Sequence, residues 1–140
     1  MAGGENAAQH CGCTATVILM TMTHIYCANA GDSRVVLGRS AGDEMCFPLS
    51  DDHKPENTIE KNRIEAAGGF VEENRVNGSL ALSRALGDFE YKGRADMDYK
   101  LQAVTCDAEL RQVTRSANDQ FIILACDGIW DCLTSEECVA

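Results

Sequence analysis

A chain of 140 residues has room for one small domain or part of a larger one, and 45% hydrophobic content marks it as globular rather than disordered. A formal net charge of -10 denies it the basic face of a general nucleic-acid binder and gives no attraction to anionic membranes. No apolar run approaches a membrane span, no basic-then-apolar leader opens the chain, and Ala2 stands where N-myristoylation needs glycine. No nucleic-acid or membrane partner is therefore expected, and the location expected is cytoplasmic or nuclear.

In chain order, residues 1–10 are small, polar and Gly/Ala-rich, and read as loose. His10, Cys11 and Cys13 carry metal-binding atoms, but no second ligand pair at zinc spacing follows. Residues 14–21 are apolar on both alternating faces, the mark of a central strand. Residues 25–30 return as a second strand, and Gly31-Asp32 turns tightly into a third at 35–37. Residues 38–42 turn again before a fourth at 45–47. Consecutive strands with short turns predict an antiparallel meander. Asp32 either hydrogen-bonds its own turn or offers a free carboxylate, which Arg34 could neutralise.

Residues 51–55 are a polar break in which Pro55 keeps Lys54 extended. His53 lacks partners at metal-site spacing and reads as a turn or surface histidine. Asn57, with Glu60 three residues on, resembles a capping box opening a helix to about Ala67, stopped by Gly68-Gly69. Its thin stripe of Ile59, Ile64, Ala66 and Ala67 suits a helix lying on a sheet. Asn77-Gly78, between residues 70–76 and 79–82, is a hairpin signal. Residues 83–86 fit either a strand or a helical turn. Residues 89–99 are charged and without period, as in a mobile surface loop, and residues 101–105 and 110–113 read as edge strands.

Residues 121–126 form an apolar run that reads as a strand buried on both faces and ending in Asp127-Gly128. Asp131 follows four residues later, so one helical turn sets both carboxylates on one face. Two such groups repel unless a cation lies between them, and hard oxygen ligands suit Mg²⁺ or Mn²⁺. The plain alternative is a helix cap followed by a surface Asp. Thr134 and Glu137 open another helix with a capping box. The eight cysteines show no regular spacing, and Cys27 and Cys126 lie in apolar runs; buried, reduced thiols are expected.

Seven short segments then fall in order across residues 12–131: Gly12-Cys13-Thr14-Ala15, Gly31-Asp32-Ser33-Arg34, Asp52-His53-Lys54-Pro55, Ala67-Gly68-Gly69, Arg75-Val76-Asn77-Gly78-Ser79-Leu80-Ala81, Ser83-Arg84-Ala85-Leu86-Gly87-Asp88 and Ala125-Cys126-Asp127-Gly128-Ile129-Trp130-Asp131. Together they resemble the metal-dependent protein serine/threonine phosphatases of the protein phosphatase 2C (PPM) family. The resemblance implies an α+β fold, a partial β-sandwich of antiparallel sheets flanked by helices, occupying residues 11–140 and incomplete at both ends. It implies Mg²⁺ or Mn²⁺ as cofactor and a metal-activated water that attacks phosphoserine or phosphothreonine in a phosphoprotein substrate. By motif, Asp127 matches a ligand of the main binuclear centre, and Asp32, Asp127 and Asp131 match a third, weaker metal site.

The chain departs from the family pattern in lacking its Asp-Gly-His-Gly-Gly segment, an upstream phosphate-holding arginine and a later Asp-Asn ligand segment. No catalytic residue beyond metal ligands is carried over. An internal piece of a larger domain is expected, with self-association through uncovered sheet edges. A non-catalytic half-domain that binds phosphoproteins or a full phosphatase is the alternative. A haloacid-dehalogenase type of site would need Asp two residues after Asp127, where Ile129 stands.

Overall fold

The computed structural model describes residues 7–41 and 45–140. Of the segment expected to be loose, residues 1–6 lie outside the described residues, and Ala7–His10 forms one 3₁₀ turn. Ala15–Met20 (β2) and His24–Ala30 (β3) make one hairpin; Arg34–Arg39 (β4) and Cys46–Pro48 (β5) make another. Glu109–Thr114 (β9) adds to β3, and Asp119–Ala125 (β10) adds to β4. Two three-stranded antiparallel sheets result, ordered β2-β3-β9 and β10-β4-β5. Ile25 and Cys27 of β3 close onto Val35 and Leu37 of β4 and onto Leu49, all buried. This is the α+β partial sandwich expected.

A single meander does not form. Although β3 and β4 are consecutive, they lie in different sheets, so the chain crosses the sandwich at Gly31-Asp32. Gly31 has φ +115°, a conformation costly for any residue with a Cβ. A Cβ there would also run into Thr14 Cγ2 and stand 3.0 Å from the Arg84 carbonyl oxygen. Gly38, expected in a turn, stays inside β4, because the Phe121 ring of β10 covers the space a side chain would take.

The most apolar strands are edges, not centres. β2 and β10 each have one neighbour, so their outward residues remain open: Leu19 is 62% exposed, and Phe121 and Leu124 are also exposed. Apolar patterning on both faces here reports surface that these strands leave uncovered. β9 is an edge strand as expected, with Leu110 77% exposed.

A second core lies beneath Thr58–Ala66 (α1), where Ile64, Ala67, Val76, Ala85, Ala103 and Val104 pack together. α1 covers no large sheet: of its expected stripe, Ile59 and Ala66 are exposed. Val71–Glu72 (β6) pairs with Arg75–Val76 (β7) around Glu73 and Asn74, both at positive φ. The Asn77-Gly78 turn then leads only to a single bridge, Val76 to Leu80. Residues 101–105 are no strand: Leu101 ends a 3₁₀ turn and is exposed, and 102–105 are a buried irregular segment that touches Arg84 through one parallel bridge at Thr105. The loop at 89–99 is tied down rather than free. Gln102 donates to the Arg94 and Met97 carbonyls, and Arg94 donates to Ala67 O. Leu86–Gly87 (β8) pairs with Gly12–Cys13 (β1), resolving the ambiguous stretch before Asp88 as extended chain.

After β10 come Asp127–Trp130 (α2) and Ser135–Val139 (α3), the latter with the capping box expected of Thr134 and Glu137. Among the described residues no helix is long and apolar enough to cross a membrane. Gly31→Ala is expected to destabilise the chain by roughly 3 kcal/mol, combining positive-φ strain with the clash. The check is a lower urea midpoint at unchanged slope, and an unmoved midpoint would show that the crossing tolerates a side chain.

Candidate functional site

The last β4–β10 pair is Arg34 opposite Ala125. Asp32 lies two residues before Arg34, and Asp127 two residues after Ala125. The register therefore brings both to the same end of the strand pair, where the chain leaves the sheet. Asp131 sits one turn on, its N–H donating to Asp127 O at 2.7 Å. Asp127 and Asp131 are exposed, whereas Asp32 is buried.

Asp32 is not free. Lys54 Nζ donates to Asp32 Oδ2 at 2.5 Å. Burial would lower the pKa of this ammonium, but the hydrogen bond and charge of Asp32, with Asp52 and Asp131 also acting, raise it. Arg34 is engaged elsewhere and does not neutralise Asp32. Its Nε and Nη2 make a bidentate pair with Asp52, both at 2.9 Å, while Nη1 donates to Ser135 Oγ at 3.0 Å. The guanidinium also stacks over Trp130, 5.2 Å from the ring centroid. Among the described residues, no three His, Cys, Asp or Glu side chains converge closely enough to hold a metal ion. The donor chemistry suits a hard divalent ion. The arrangement supplies two open carboxylates and a third that Lys54 covers.

His53 is the largest departure from expectation. It is buried, not a surface histidine, and it grips the crossing at Gly31. Its N–H donates to Gly31 O at 3.0 Å, and its Nδ1 lies 3.2 Å from Gly31 N. Nδ1 also lies 3.1 Å from Gly31 O, and Nε2 faces Glu109 Oε2, 3.5 Å away and otherwise a buried atom without a partner. Asn29, also buried, donates to Gly31 O and Asp51 O and accepts from Thr16.

Glu60 forms no capping box, and Asn57 donates to Asp52 O instead of capping α1. The Glu60 carboxylate points inward, accepting from Arg84 at 2.6 Å, Arg63 at 2.7 Å and Ser83 Oγ at 2.5 Å. Ser83 N–H in turn donates to His53 O at 3.0 Å. One buried carboxylate thus connects α1, Ser83 and Arg84, and through His53 the crossing beside Asp32.

The family model for protein phosphatase 2C matches residues 2–140. The chain belongs to the protein phosphatase 2C family. It is 56% identical over 129 residues to protein phosphatase 2C homolog 2 of Schizosaccharomyces pombe, covering 91% of this chain and 34% of that relative. Among solved structures, a phosphatase from Toxoplasma gondii matches with TM-score 0.71 at 40% identity, over 77% of this chain and 33% of that one. A serine-threonine phosphatase 2C from Toxoplasma gondii matches with TM-score 0.76 at 25% identity, over 94% and 46% respectively. The chain spans about a third of the length of the curated relatives it matches.

Within this protein phosphatase 2C chain, sequence reasoning missed Lys54 as the partner of Asp32, His53 as the partner of Gly31, and Glu60 as the partner of Arg63, Ser83 and Arg84. The signal available was the run of charged and polar residues at 51–54, of which only Asp51 is fully exposed. The cysteines also depart from expectation: all are free, but only Cys27 is fully buried, and Cys126 is the exposed N-cap of α2.

Burial, helped by the Arg84 charge, pushes the His53 pKa below its ordinary value. Burial would raise Glu60, but hydrogen bonds from Arg84 and Ser83 and the Arg63 charge bring it from 4.5 down to about 2. His53 stays neutral in the fold while the unfolded chain protonates it near pH ~6.5, so its contribution is complete above that pH and fades below it. Glu60 stabilises fully above 4.5, and that contribution is lost as pH falls through about 2. Urea midpoints measured against pH are expected to fall in two acid steps, with His53→Gln removing the upper and Glu60→Gln the lower. A pH profile left unchanged by both substitutions would contradict these burial states.

Proposed function

We propose that this chain is part of a metal-dependent protein serine/threonine phosphatase, with Asp32, Asp127 and Asp131 as carboxylate ligands of Mg²⁺ or Mn²⁺. The observation that carries this reading is the β4–β10 register, which brings Asp32 and Asp127 to one strand end in a chain of the protein phosphatase 2C family. A divalent ion at such carboxylates lowers the pKa of a bound water and offsets charge on phosphoryl oxygens. The residues' own work is to orient. The bidentate Arg34–Asp52 pair and its bond to Ser135 brace α3 against β4, beside the turn that carries Asp127 and Asp131. The substrate is a phosphoserine or phosphothreonine protein, with neither nucleic acid nor membrane as partner.

A second reading is favoured by the incomplete donor set: a non-catalytic module that binds phosphoproteins or another phosphatase. One assay separates the two. Mn²⁺-dependent hydrolysis of a phosphothreonine peptide by the folded chain is expected to fall on the order of a hundredfold or more in Asp127→Ala, since even outer partners of metal ligands are worth ten- to a hundredfold. Turnover indifferent to a chelator overturns the first reading, and a folded chain without turnover supports the second.

Exposed Val17, Leu19 and Met20 on edge strand β2, with Phe121 and Leu124 on edge strand β10, support self-association as a property of the isolated chain. Sedimentation velocity is expected to show concentration-dependent association, weakened by Leu19→Lys. A monomer at all concentrations would remove that expectation.

A further inference from the structure

The segment from Leu86 to Cys106 carries two 3₁₀ turns, Phe89–Tyr91 and Tyr99–Leu101, joined by irregular chain, and an open groove of about 530 Å³ lies along it. We propose that this groove is a docking site for an acidic peptide segment of a protein partner, with Lys92 pairing a carboxylate of the segment and an apolar side chain of the segment lying against Phe89 and Tyr99. The inference does not draw on the carboxylates at the β4–β10 end.

The groove is apolar and formed in advance. Leu86, Phe89, Met97 and Tyr99 line it, and Phe89 and Tyr99 are 57% and 55% exposed. Aromatic rings of this kind carry much of the contact energy where proteins meet. The backbone beneath them is already held. Asp88 N–H donates to Cys11 O at 2.9 Å, Tyr91 N–H donates to Asp88 O at 3.1 Å, and Thr105 Oγ1 donates to Tyr99 O at 2.9 Å. Buried Gln102 accepts from Arg94 N–H and donates to the Arg94 and Met97 carbonyls. Little ordering is left for a ligand to impose, and the volume falls within the roughly 300–1,000 Å³ of binding clefts.

Charge selects the partner. A net charge of -10 would favour a basic ligand, yet the lining of this groove carries Lys92 and Arg94 and no carboxylate. The acids of the segment are engaged elsewhere: Asp96 forks with Arg94, Asp107 pairs with Lys100 at 3.2 Å, Glu90 with His10 at 3.1 Å, and Asp98 accepts from Lys100 N–H. Arg94 is thereby neutralised. Lys92 is not. Half-buried, it donates to Ala85 O at 2.7 Å, and among the described residues no carboxylate forms an ion pair with it. An ammonium has three donors, so two remain for a ligand.

Burial pushes the Lys92 pKa below the ordinary lysine value, against the Cys106 and Asp88 charges, and the Asp88 carboxylate itself is folded against Gly12. An incoming carboxylate would stabilise this cation through charge-assisted hydrogen bonds. The ammonium also lies 5.8 Å from the Phe89 ring centroid, so the cationic and aromatic features of the groove are neighbours. A segment that satisfies both must carry an acid close to an apolar side chain.

The test is fluorescence anisotropy of a short fluorescein-labelled peptide, glutamates around one phenylalanine, titrated with the 140-residue chain. The parent chain is expected to bind it, and to bind roughly tenfold more weakly when glutamines replace the glutamates or alanine replaces the phenylalanine. Lys92→Gln is expected to lose roughly tenfold in affinity and Tyr99→Ala several-fold. Arg115→Gln, which removes an exposed cation outside the groove, is expected to leave binding unchanged. Circular dichroism establishes that each variant is folded; should Lys92→Gln fail to fold, Lys92→Met, Tyr99→Ala and the glutamine peptide decide. No binding by the folded parent chain overturns the proposal, as does undiminished binding in either folded groove variant. Equal binding of a lysine-for-glutamate peptide, or a loss in Arg115→Gln as large as in Lys92→Gln, overturns it too, since either would show attraction without the groove. The readout involves neither turnover nor Asp32, Asp127 and Asp131, so the phosphatase reading stands or falls separately.

Discussion

Everything at the polar end of this sandwich depends on how the chain passes from one sheet to the other. Two β-strands joined by a tight turn ordinarily pair with each other; β3 and β4 do not, and at the crossing His53 holds both the amide and the carbonyl of Gly31. The crossing fixes where Asp32 stands, and the β4–β10 register then fixes where Asp127 stands relative to it. Had β3 and β4 formed a hairpin, Ile25 and Cys27 would lie in one sheet with Val35 and Leu37, and the core that they now share across the sandwich would not exist.

How much of this was legible in the sequence follows from which interactions are local. The strands at 15–20, 24–30 and 119–125, the helix at 58–66 and the Thr134 capping box are written in neighbouring residues, and they appear close to where periodicity and end signals put them. Sheet membership is not local. Nothing around Gly31-Asp32 distinguishes a hairpin turn from a crossing, since the difference lies in His53 and Arg84, 22 and 53 residues further on. For the same reason, Asn57 and Glu60 mimic a capping box while Glu60 serves Arg63, Arg84 and Ser83, which only tertiary folding brings to it. The order of the seven short segments carried the family because it integrates over the whole chain. The three carboxylates were named by that order, but their unequal surroundings were not. Burial of Asp32 against exposure of Asp127 and Asp131 is a property of the packed end.

Charge at that end is arranged in two tiers. Deep inside, Glu60 with Arg63 and Arg84 is fully satisfied and rigid, a network of short bonds with almost no exposure. Nearer the surface, buried Asp32 with partly exposed Lys54, and Asp52 with Arg34, are pairs of different geometry, one a single contact and the other a fork. The net charge of -10 is thus not spread evenly: cations cluster where carboxylates are buried, and the acidic excess stays on the outside, where Asp127, Asp131, Glu136 and Glu137 follow one another.

The inner tier has a further consequence, for the folding route. Ser83 and Arg84 lie more than 20 residues beyond Glu60, so the carboxylate finds them only after α1 has docked over the segment before β8. A state with the apolar contacts made but α1 misplaced would strand an ion in a poorly solvating interior, at a cost of several kcal/mol. Partly docked forms are disfavoured by that penalty, which sharpens the transition between folded and unfolded populations and discourages loosely packed intermediates. A single buried acid thereby acts as a proofreader of how α1 docks onto the Ser83–Arg84 segment.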